Sequence, residues 1–363
     1  MMKTRHFFCG MMLAMGAMAL TACSSSDDNN GGSNSGSIST GQPVTLDQPA
    51  YKTESALFQI SSSSSDLRSI ELTEAGNYVI VKKSAAAKAM VFDNEEAANA
   101  VTSPWSAEKT RANSNSDIIC GTYTKQAENT YVLEGFGTIV VTKSGSNAAS
   151  LQITPQGGTA YTLQAAIKQQ YADSEATGRL CRTWNMTAIR LTMNGSFPVT
   201  ETQSEQFSYD KTVSGGDLPG LMYDFYEKMM TWAMGIQNRY AAQMGGQTIT
   251  QAQLNQLLSA QKEQIYKSFK SVQSVIFTQA GTYMVSYGDQ SLAVATWAWT
   301  NASTNMLRYS WNYGNMNVNG KSGECQMEFS ANNLIMTETQ NMSATDGIDN
   351  MNMKITYQLT EAK

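Results

Sequence analysis

The chain has 363 residues, with 25 Lys and Arg against 30 Asp and Glu, a net charge of −5 and 41% hydrophobic residues. That length can bury a sizeable core and accommodates one to three domains. The acidic balance disfavours nucleic acid or an anionic membrane surface as a partner.

The first six residues carry Lys3, Arg5 and His6, the one histidine of the chain. Phe7 to Leu20 is an unbroken run of apolar or small residues. At 1.5 Å per residue it is shorter than the roughly 20 residues a membrane-spanning helix needs, and it reads as the core of a secretory leader. Leu20-Thr21-Ala22-Cys23 closes the run. These four residues resemble the lipobox of bacterial lipoproteins. The resemblance implies cleavage before Cys23 and acylation of that cysteine. Each buried CH₂ contributes about 0.8 kcal/mol, so several acyl chains hold a protein to a membrane without a spanning helix. Residues 1–22 are thus expected to be a lipoprotein signal peptide.

Residues 23–42 read as a tether. Ser24 to Thr40 is built from Ser, Asn, Asp and Gly with a single large apolar residue, Ile38, too few to offset its ordering entropy, so it behaves as a flexible coil. Ser26-Asp27-Asp28 resembles the acidic export signal of Bacteroidota-type surface lipoproteins, with a merely soluble linker as the alternative. Ser24, rather than Asp, after the cysteine agrees with outer-membrane sorting.

Cleavage before Cys23 removes His6 and leaves a mature chain without histidine. That excludes Ser-His-Asp and Cys-His catalysis, His-ligated zinc and haem on a proximal histidine. Carboxylate, lysine and tyrosine chemistry stays open, but no spacing singles out an acidic pair of the kind glycoside hydrolysis uses. The expectation is a non-enzymatic protein without cofactor or metal. Cys120, Cys181 and Cys325 remain beside Cys23. With no CxxC among them and at most one intramolecular pair possible, buried thiols in strands are favoured over a disulfide plus an odd thiol.

Residues 43–175 read as an N-terminal β domain. Short runs rich in Val, Ile, Thr and Tyr alternate with Gly, Asn and Ser turns. Ser69 to Val81 is a strand, an Ala75-Gly76-Asn77 turn and a return strand. Tyr131 to Thr142 is a second such unit. Ala149 to Thr154 and Thr159 to Leu163 flank a turn at Pro155 to Gly158. Ser69 to Val81 aligns without gaps on Ser274 to Ser286, with identities at Ser69/Ser274, Thr73/Thr278, Ala75/Ala280, Gly76/Gly281 and Tyr78/Tyr283. Gly121-Thr122-Tyr123-Thr124 echoes Ala295-Thr296-Trp297-Ala298 in the same order. Chance recurrence of a common hairpin and descent from one repeated β domain both account for this echo.

Residues 176–363 form the second domain. Between Trp184 and Phe277 the pattern changes to helix, with an insertion expected over about 217–272. Leu221, Phe225, Met229, Trp232, Ile236, Tyr240 and Met244 recur at three- and four-residue steps. Pro219 stands near the start and Gly245-Gly246 ends the run. Thr250 and Gln253 form a capping-box pattern, after which Leu254, Leu258, Ile265, Phe269 and Val272 continue the stripe. Strand alternation then resumes. Trp297 and Trp299 share one face, as do Tyr309, Trp311 and Tyr313, and these five aromatics are expected to form one cluster. Cys325, Met327 and Phe329 alternate with Glu324, Gln326 and Glu328, and Leu334–Thr339 and Met353–Leu359 supply the last strands.

Thr183-Trp184-Asn185-Met186, Phe277-Thr278-Gln279-Ala280-Gly281-Thr282-Tyr283, Ala295-Thr296-Trp297 and Asn333-Leu334 together resemble the lipocalin-like domains of Bacteroidota surface lipoproteins. The resemblance covers residues 180–363, with Arg182 and Ala295 standing where glycine is usual. It implies a mainly β protein, a lipocalin-like antiparallel barrel or sandwich with an inserted αα-hairpin, preceded by a smaller β domain whose relation to it the echo leaves open between chance and descent. Such barrels hold either a filled interior or one small ligand. The expected protein is a lipoprotein anchored in the outer membrane or at the cell surface through Cys23, binding a small apolar ligand. Candidate pocket walls are Trp184, Tyr283, Trp297, Trp299, Tyr309 and Trp311. The alternatives are a protein-binding assembly or adhesion component and a glycan-binding surface protein.

Overall fold

A computed structural model of the chain describes residues 56–73, 75–83, 118–168, 175–198, 203–244, 246–289, 292–310, 322–343 and 350–362. The leader, Cys23, the tether, Trp311 and Tyr313 lie outside the described residues.

The first unit is a closed barrel. Strands β1 (Ala56–Ile60), β2 (Leu67–Leu72), β3 (Asn77–Lys82), β4 (Ile118–Ala127), β5 (Thr130–Leu133), β6 (Gly137–Lys143), β7 (Ala148–Pro155) and β8 (Tyr161–Ile167) follow one another as antiparallel neighbours, and β8 returns to β1. Alternation along the strands sends Ile70, Leu72, Tyr78 and Ile80 into the interior, where they join Tyr123, Tyr131, Ile139 and Leu151 in one core. Tyr123 and Tyr131 meet edge to face at 5.7 Å, a geometry favoured by the ring quadrupoles.

The second barrel repeats that order with an insertion. A short helix α1 (Glu175–Leu180) leads into β9 (Thr183–Pro198) and β10 (Ser204–Ser214). Helices α2 (Leu218–Met244) and α3 (Gln251–Ser268) follow. Then come β11 (Val272–Phe277), β12 (Thr282–Tyr287), β13 (Leu292–Asn301), β14 (Met306–Ser310), β15 (Ser322–Ser330), β16 (Asn333–Ser343) and β17 (Asn350–Glu361). Strands β9 and β11 to β17 close by pairing β17 with β9, and β10 pairs with β9 as a branch outside the ring. The protein is therefore mainly β, with two antiparallel barrels and a helical hairpin inserted in the second, as expected.

The helical hairpin forms for local reasons. Thr250 and Gln253 make the expected capping box: the Gln253 backbone N–H donates to Thr250 Oγ1 at 3.3 Å, and the Thr250 N–H to Gln253 Oε1 at 2.9 Å. At the start of α2, Asp217 Oδ1 accepts from the Gly220 N–H at 3.0 Å, satisfying one of the unpaired N–H groups of a helix end. Leu221, Phe225, Met229 and Ile236 of α2 and Leu254, Leu258 and Ile265 of α3 are buried. Burying each such side chain contributes about 1.5–3 kcal/mol.

Two features differ from the sequence reading. The change of pattern between Trp184 and Phe277 was assigned to helix, with the insertion at about 217–272, but ahead of it Thr183–Pro198 and Ser204–Ser214 are two long strands. Ile189, Leu191 and Met193 are buried at a spacing of two, as are Phe207 and Tyr209, and this period outweighs the helical one there. The helical stripe also ends earlier than 272. Ser268 is the last residue of α3, Phe269 is its extended C-cap, and Val272 opens β11.

The sequence echo is a structural repeat. Thr73 and Thr278 occupy the same place in the two barrels. The Thr73 N–H donates to Asn77 O at 2.8 Å and Gly76 N–H to Thr73 O at 3.1 Å; Thr278 N–H donates to Thr282 O at 2.9 Å and Gly281 N–H to Thr278 O at 3.0 Å. Gly76 and Gly281 both have positive φ, 78° and 89°, which only glycine adopts without a Cβ penalty. Tyr123 OH donates to Thr73 O at 2.7 Å, and Trp297 Nε1 donates to Thr278 O at 3.0 Å. Two different aromatic side chains thus tie the same strand to the same turn.

The barrels meet through these repeated strands. On the outer face of the first, Val79, Val81 and Cys120 join Ile276, Met284 and Val294 of the second in one buried cluster. The contributing positions largely correspond under the echo: Val79 to Met284, and Cys120 to Val294. Glu71 corresponds to Ile276 and is buried there, accepting from Thr278 Oγ1 at 2.7 Å and from Thr282 Oγ1. Lys168 Nζ donates to Ala280 O at 2.9 Å beside them.

Burial pushes the Glu71 carboxyl above its ordinary value, against the lowering effect of the Thr282 and Thr278 hydroxyls and the Lys168 charge. Ionising it is harder in the folded chain than in the unfolded one. Its contribution to stability is therefore full below the unfolded value and declines as pH rises toward the folded value. Thermal unfolding of Glu71→Gln and the parent chain should show the variant gaining on the parent as pH rises from about 4 to about 7. A difference independent of pH would show that folding leaves this carboxyl unperturbed.

Candidate functional site

The structure places the expected pocket residues in the core of the second barrel. Trp184, Tyr283, Trp297 and Tyr309 are each at most 1% exposed, and Trp299 is half-buried against them. Tyr283 stacks on Phe277 at 4.6 Å and meets Tyr309 at 6.1 Å, while Trp297 meets Phe277 at 6.1 Å and Trp299 at 5.6 Å. The indole N–H groups of Trp184 and Trp299 are tied down locally. Trp184 Nε1 donates to Leu180 O at 2.9 Å, and Trp299 Nε1 to Thr177 Oγ1 at 3.0 Å, so α1 is pinned against the barrel by two indoles. Arg182 lies over the Trp184 ring at 5.6 Å and pairs with Glu361 at 2.9 Å. Trp311 falls outside the described residues.

One acid sits in this interior. Glu338 shares the inward face of β16 with Leu334 and Met336, is 5% exposed, and accepts from Tyr309 OH at 3.0 Å. Burial raises the Tyr309 phenol well above its ordinary value, with the charges of Glu338 and Cys325 adding to it. Burial does the same to the Cys325 thiol, again reinforced by Glu338. Cys120 and Cys325 are buried thiols on β4 and β15, and Cys181 is a half-buried one between α1 and β9. Burial pushes the Cys120 thiol up to about 11, which makes it a poor nucleophile at neutral pH.

An open groove of about 610 Å³ lies on the outside of the same domain, between β10 and α2. Gln206, Phe207, Ser208, Tyr209, Asp210 and Lys211 line it from the strand, and Asp224, Lys228 and Trp232 from the helix. The helical residues stand four apart and so form one stripe. Phe207 and Tyr209 turn toward α2, meeting Trp232 at 5.2 Å and Phe225 at 5.1 Å respectively. Tyr209 OH and Lys211 Nζ both donate to Asp224, at 2.8 and 2.5 Å. Gln206, Ser208 and Asp210 alternate outward and are exposed. Asp210 is held by Arg190 through both carboxylate oxygens, at 2.8 and 2.5 Å. Among the described residues β10 pairs with β9 alone, which leaves its other edge without a strand.

The sequence reading missed this groove. Its signal was present: Phe207 and Tyr209 alternate with Gln206, Ser208 and Asp210, and Asp224, Lys228 and Trp232 keep a four-residue step. Only Trp232 was singled out, as a member of the helical stripe. Among the described residues no group of three or more His, Cys, Asp and Glu side chains is placed to hold a metal ion, and no helix is long and apolar enough to cross a membrane.

Partial burial works against the Asp224 carboxylate. The bonds from Lys211 and Tyr209 and the charges of Lys211 and Lys228 outweigh it and hold the group below its ordinary value. A lowered folded value means stability that is present above the unfolded value and lost as pH falls through the folded one. Solvent screens this partly exposed ion pair, so Asp224→Asn should cost about 0.5–1 kcal/mol at neutral pH. The cost should shrink as the medium is acidified below about pH 4. Denaturant titrations of the parent and variant at the two pH values measure this, and an equal cost at both would assign the loss to packing.

A scan of protein-family models and a search of curated protein sequences both find no match for this chain.

Proposed function

We propose that the protein is a lipid-anchored, non-enzymatic assembly component of the outer membrane or cell surface, engaging another polypeptide along β10. The observation that supports this reading is the outer edge of β10, which from Glu205 on has no strand beside it among the described residues and lies beside an aromatic and charged groove. A free strand edge offers a row of backbone donors and acceptors to an incoming strand. The groove alongside offers the partly buried Trp232 for apolar contact and Lys228 for charge.

Support for the anchor is the Leu20-Thr21-Ala22-Cys23 segment, and support for a non-enzymatic role is the loss of His6 with the leader. The groove's acids are also already engaged, Asp210 by Arg190 and Asp224 by Lys211. Glu338 supports a second reading, carriage of a small apolar ligand in the second barrel. A buried acid among Tyr283, Tyr309 and Cys325 would give such a ligand one polar handle. Glycan binding draws on the same open aromatic groove and predicts retention on a glycan panel.

Membrane fractionation tests the anchor: Cys23→Ala should move the protein from the membrane pellet to the soluble fraction, and retention in the pellet would refute acylation as the anchor. Native electrophoresis of the mildly solubilised lipidated protein tests the assembly role. The parent should migrate above its monomer mass, and Ser208→Arg, a bulky cation at an exposed position in the middle of the edge, should collapse it to monomer. A parent already monomeric, or a variant that migrates unchanged, would sink the assembly reading.

A further inference from the structure

Resting on the assembly reading, we infer that the occupant of the β10 edge is β10 of a second copy of this chain, paired antiparallel about a two-fold axis through Ser208. Strand β10 runs 11 residues without a register shift against β9, so its outer edge is long and regular. Its odd-numbered residues face α2 and its even-numbered ones face solvent. In a continuous antiparallel sheet, opposite residues lie on one face. Only registers centred on a residue keep α2 of both copies on the same face of the joined sheet.

Three such registers use the middle of the strand. Centring on Phe207 sets Glu205 opposite Tyr209, and centring on Tyr209 sets Phe207 opposite Lys211. Centring on Ser208 sets Glu205 opposite Lys211, Phe207 opposite Tyr209 and Gln206 opposite Asp210, each twice over. Opposite charges and paired aromatics across strands each stabilise, and like charges directly opposite destabilise. The segment Glu205-Gln206-Phe207-Ser208-Tyr209-Asp210-Lys211 is therefore chemically self-complementary in one register, as a two-fold interface requires.

The surroundings agree with this. Glu205 already pairs with Arg239 at 3.0 Å and Lys211 with Asp224 at 2.5 Å. An incoming Lys211 and Glu205 from a second copy would extend each pair into an alternating network instead of competing for an empty site. Ser208 at the centre is small and exposed, so two copies can approach there. The open groove of about 610 Å³ beside the edge leaves space on the α2 face for an adjoining strand.

Cysteine cross-linking of the full lipidated chain in its membrane tests the register. Residues opposite each other across antiparallel strands have Cα atoms about 4.5 or 5.5 Å apart, within the range that a disulfide spans. Ser208→Cys should give a covalent dimer under mild oxidation, while the parent chain, with its own thiols, should not. Gln206→Cys and Asp210→Cys should each fail alone and cross-link to each other when co-expressed. Adding Lys211→Glu to Ser208→Cys should cut the dimer about tenfold, because both charged pairs become like-charged. Adding Glu205→Lys should do the same.

Co-expressing those two double variants should restore cross-linking between them, because each then supplies the charge the other lacks. Local unfolding cannot produce that rescue. Ser208→Cys without a covalent dimer, Gln206→Cys cross-linking to itself, or no rescue on co-expression would each overturn the second-copy proposal. If the parent still assembles and Ser208→Arg still dissolves that assembly, the partner is another polypeptide and the broader reading stands.

Discussion

Strand β9 has to serve three neighbours, and the rest of the second domain depends on how it does so. Over Thr183 to Asn185 it pairs with β11, from Ala188 onward it pairs with β10, and along most of its length its other edge holds β17. The change of neighbour falls at Thr187, where the pairing with β17 shifts register between Gln358 and Leu359. An extra residue in one strand bends it and increases its twist. Thr187 is used at that point: its hydroxyl donates to Gln358 O at 2.9 Å, and its carbonyl accepts from the Gly215 N–H at 2.6 Å. Below the bulge β9 lies between β17 and β11, and above it between β17 and β10, which extends the sheet as an arm outside the ring.

That arm explains why the helical hairpin is where it is. Left uncovered, β10 would expose Phe207 and Tyr209, and β9 the face that carries Phe197, which are buried apolar residues. Helix α2 covers them. Trp232 meets Phe197 at 5.1 Å and Phe207 at 5.2 Å, and Phe225 meets Tyr209 at 5.1 Å. The helix covers the face of the arm, and among the described residues no strand lies along its outer edge. The groove follows from that geometry, because a helix about 10 Å across cannot seal both the face and the rim of a strand.

The two barrels are joined by the part of the fold they share. Corresponding strands supply the contact, but the acid appears on one side only: Glu71 faces the Thr278 and Thr282 hydroxyls, while the corresponding Ile276 enters the apolar cluster. Two like acids at such a contact would repel, and two isoleucines would leave the hydroxyls unmatched. Removing a carboxylate from water costs several kcal/mol, and that cost is offset only where hydrogen bonds are supplied. The asymmetry therefore suits two equivalent strands meeting within a single chain.

Much of this was legible in residue order. The hairpin at Ser69 to Val81, its echo at Ser274 to Ser286, the capping box at Thr250 and the aromatic alternation at Trp297 and Tyr309 all depend on neighbours within a dozen residues, where turn chemistry and side-chain period decide the outcome. The β9–β10 arm was not, because its Ile189, Leu191 and Met193 face partners more than 150 residues away on β17, and a helical stripe follows immediately. Equally hidden were the burial of Glu71 and Glu338, since an acidic residue in a strand normally faces water and only closure of a barrel or contact between barrels turns it inward. Local sequence by itself determined the hairpins and the caps, because these rest on short-range sterics and periodicity, while the barrel entered only as what the lipocalin-like resemblance implied. Tertiary structure alone decided which faces became interior and that, among the described residues, the outer edge of β10 has no strand beside it, because both depend on which distant strands close the ring.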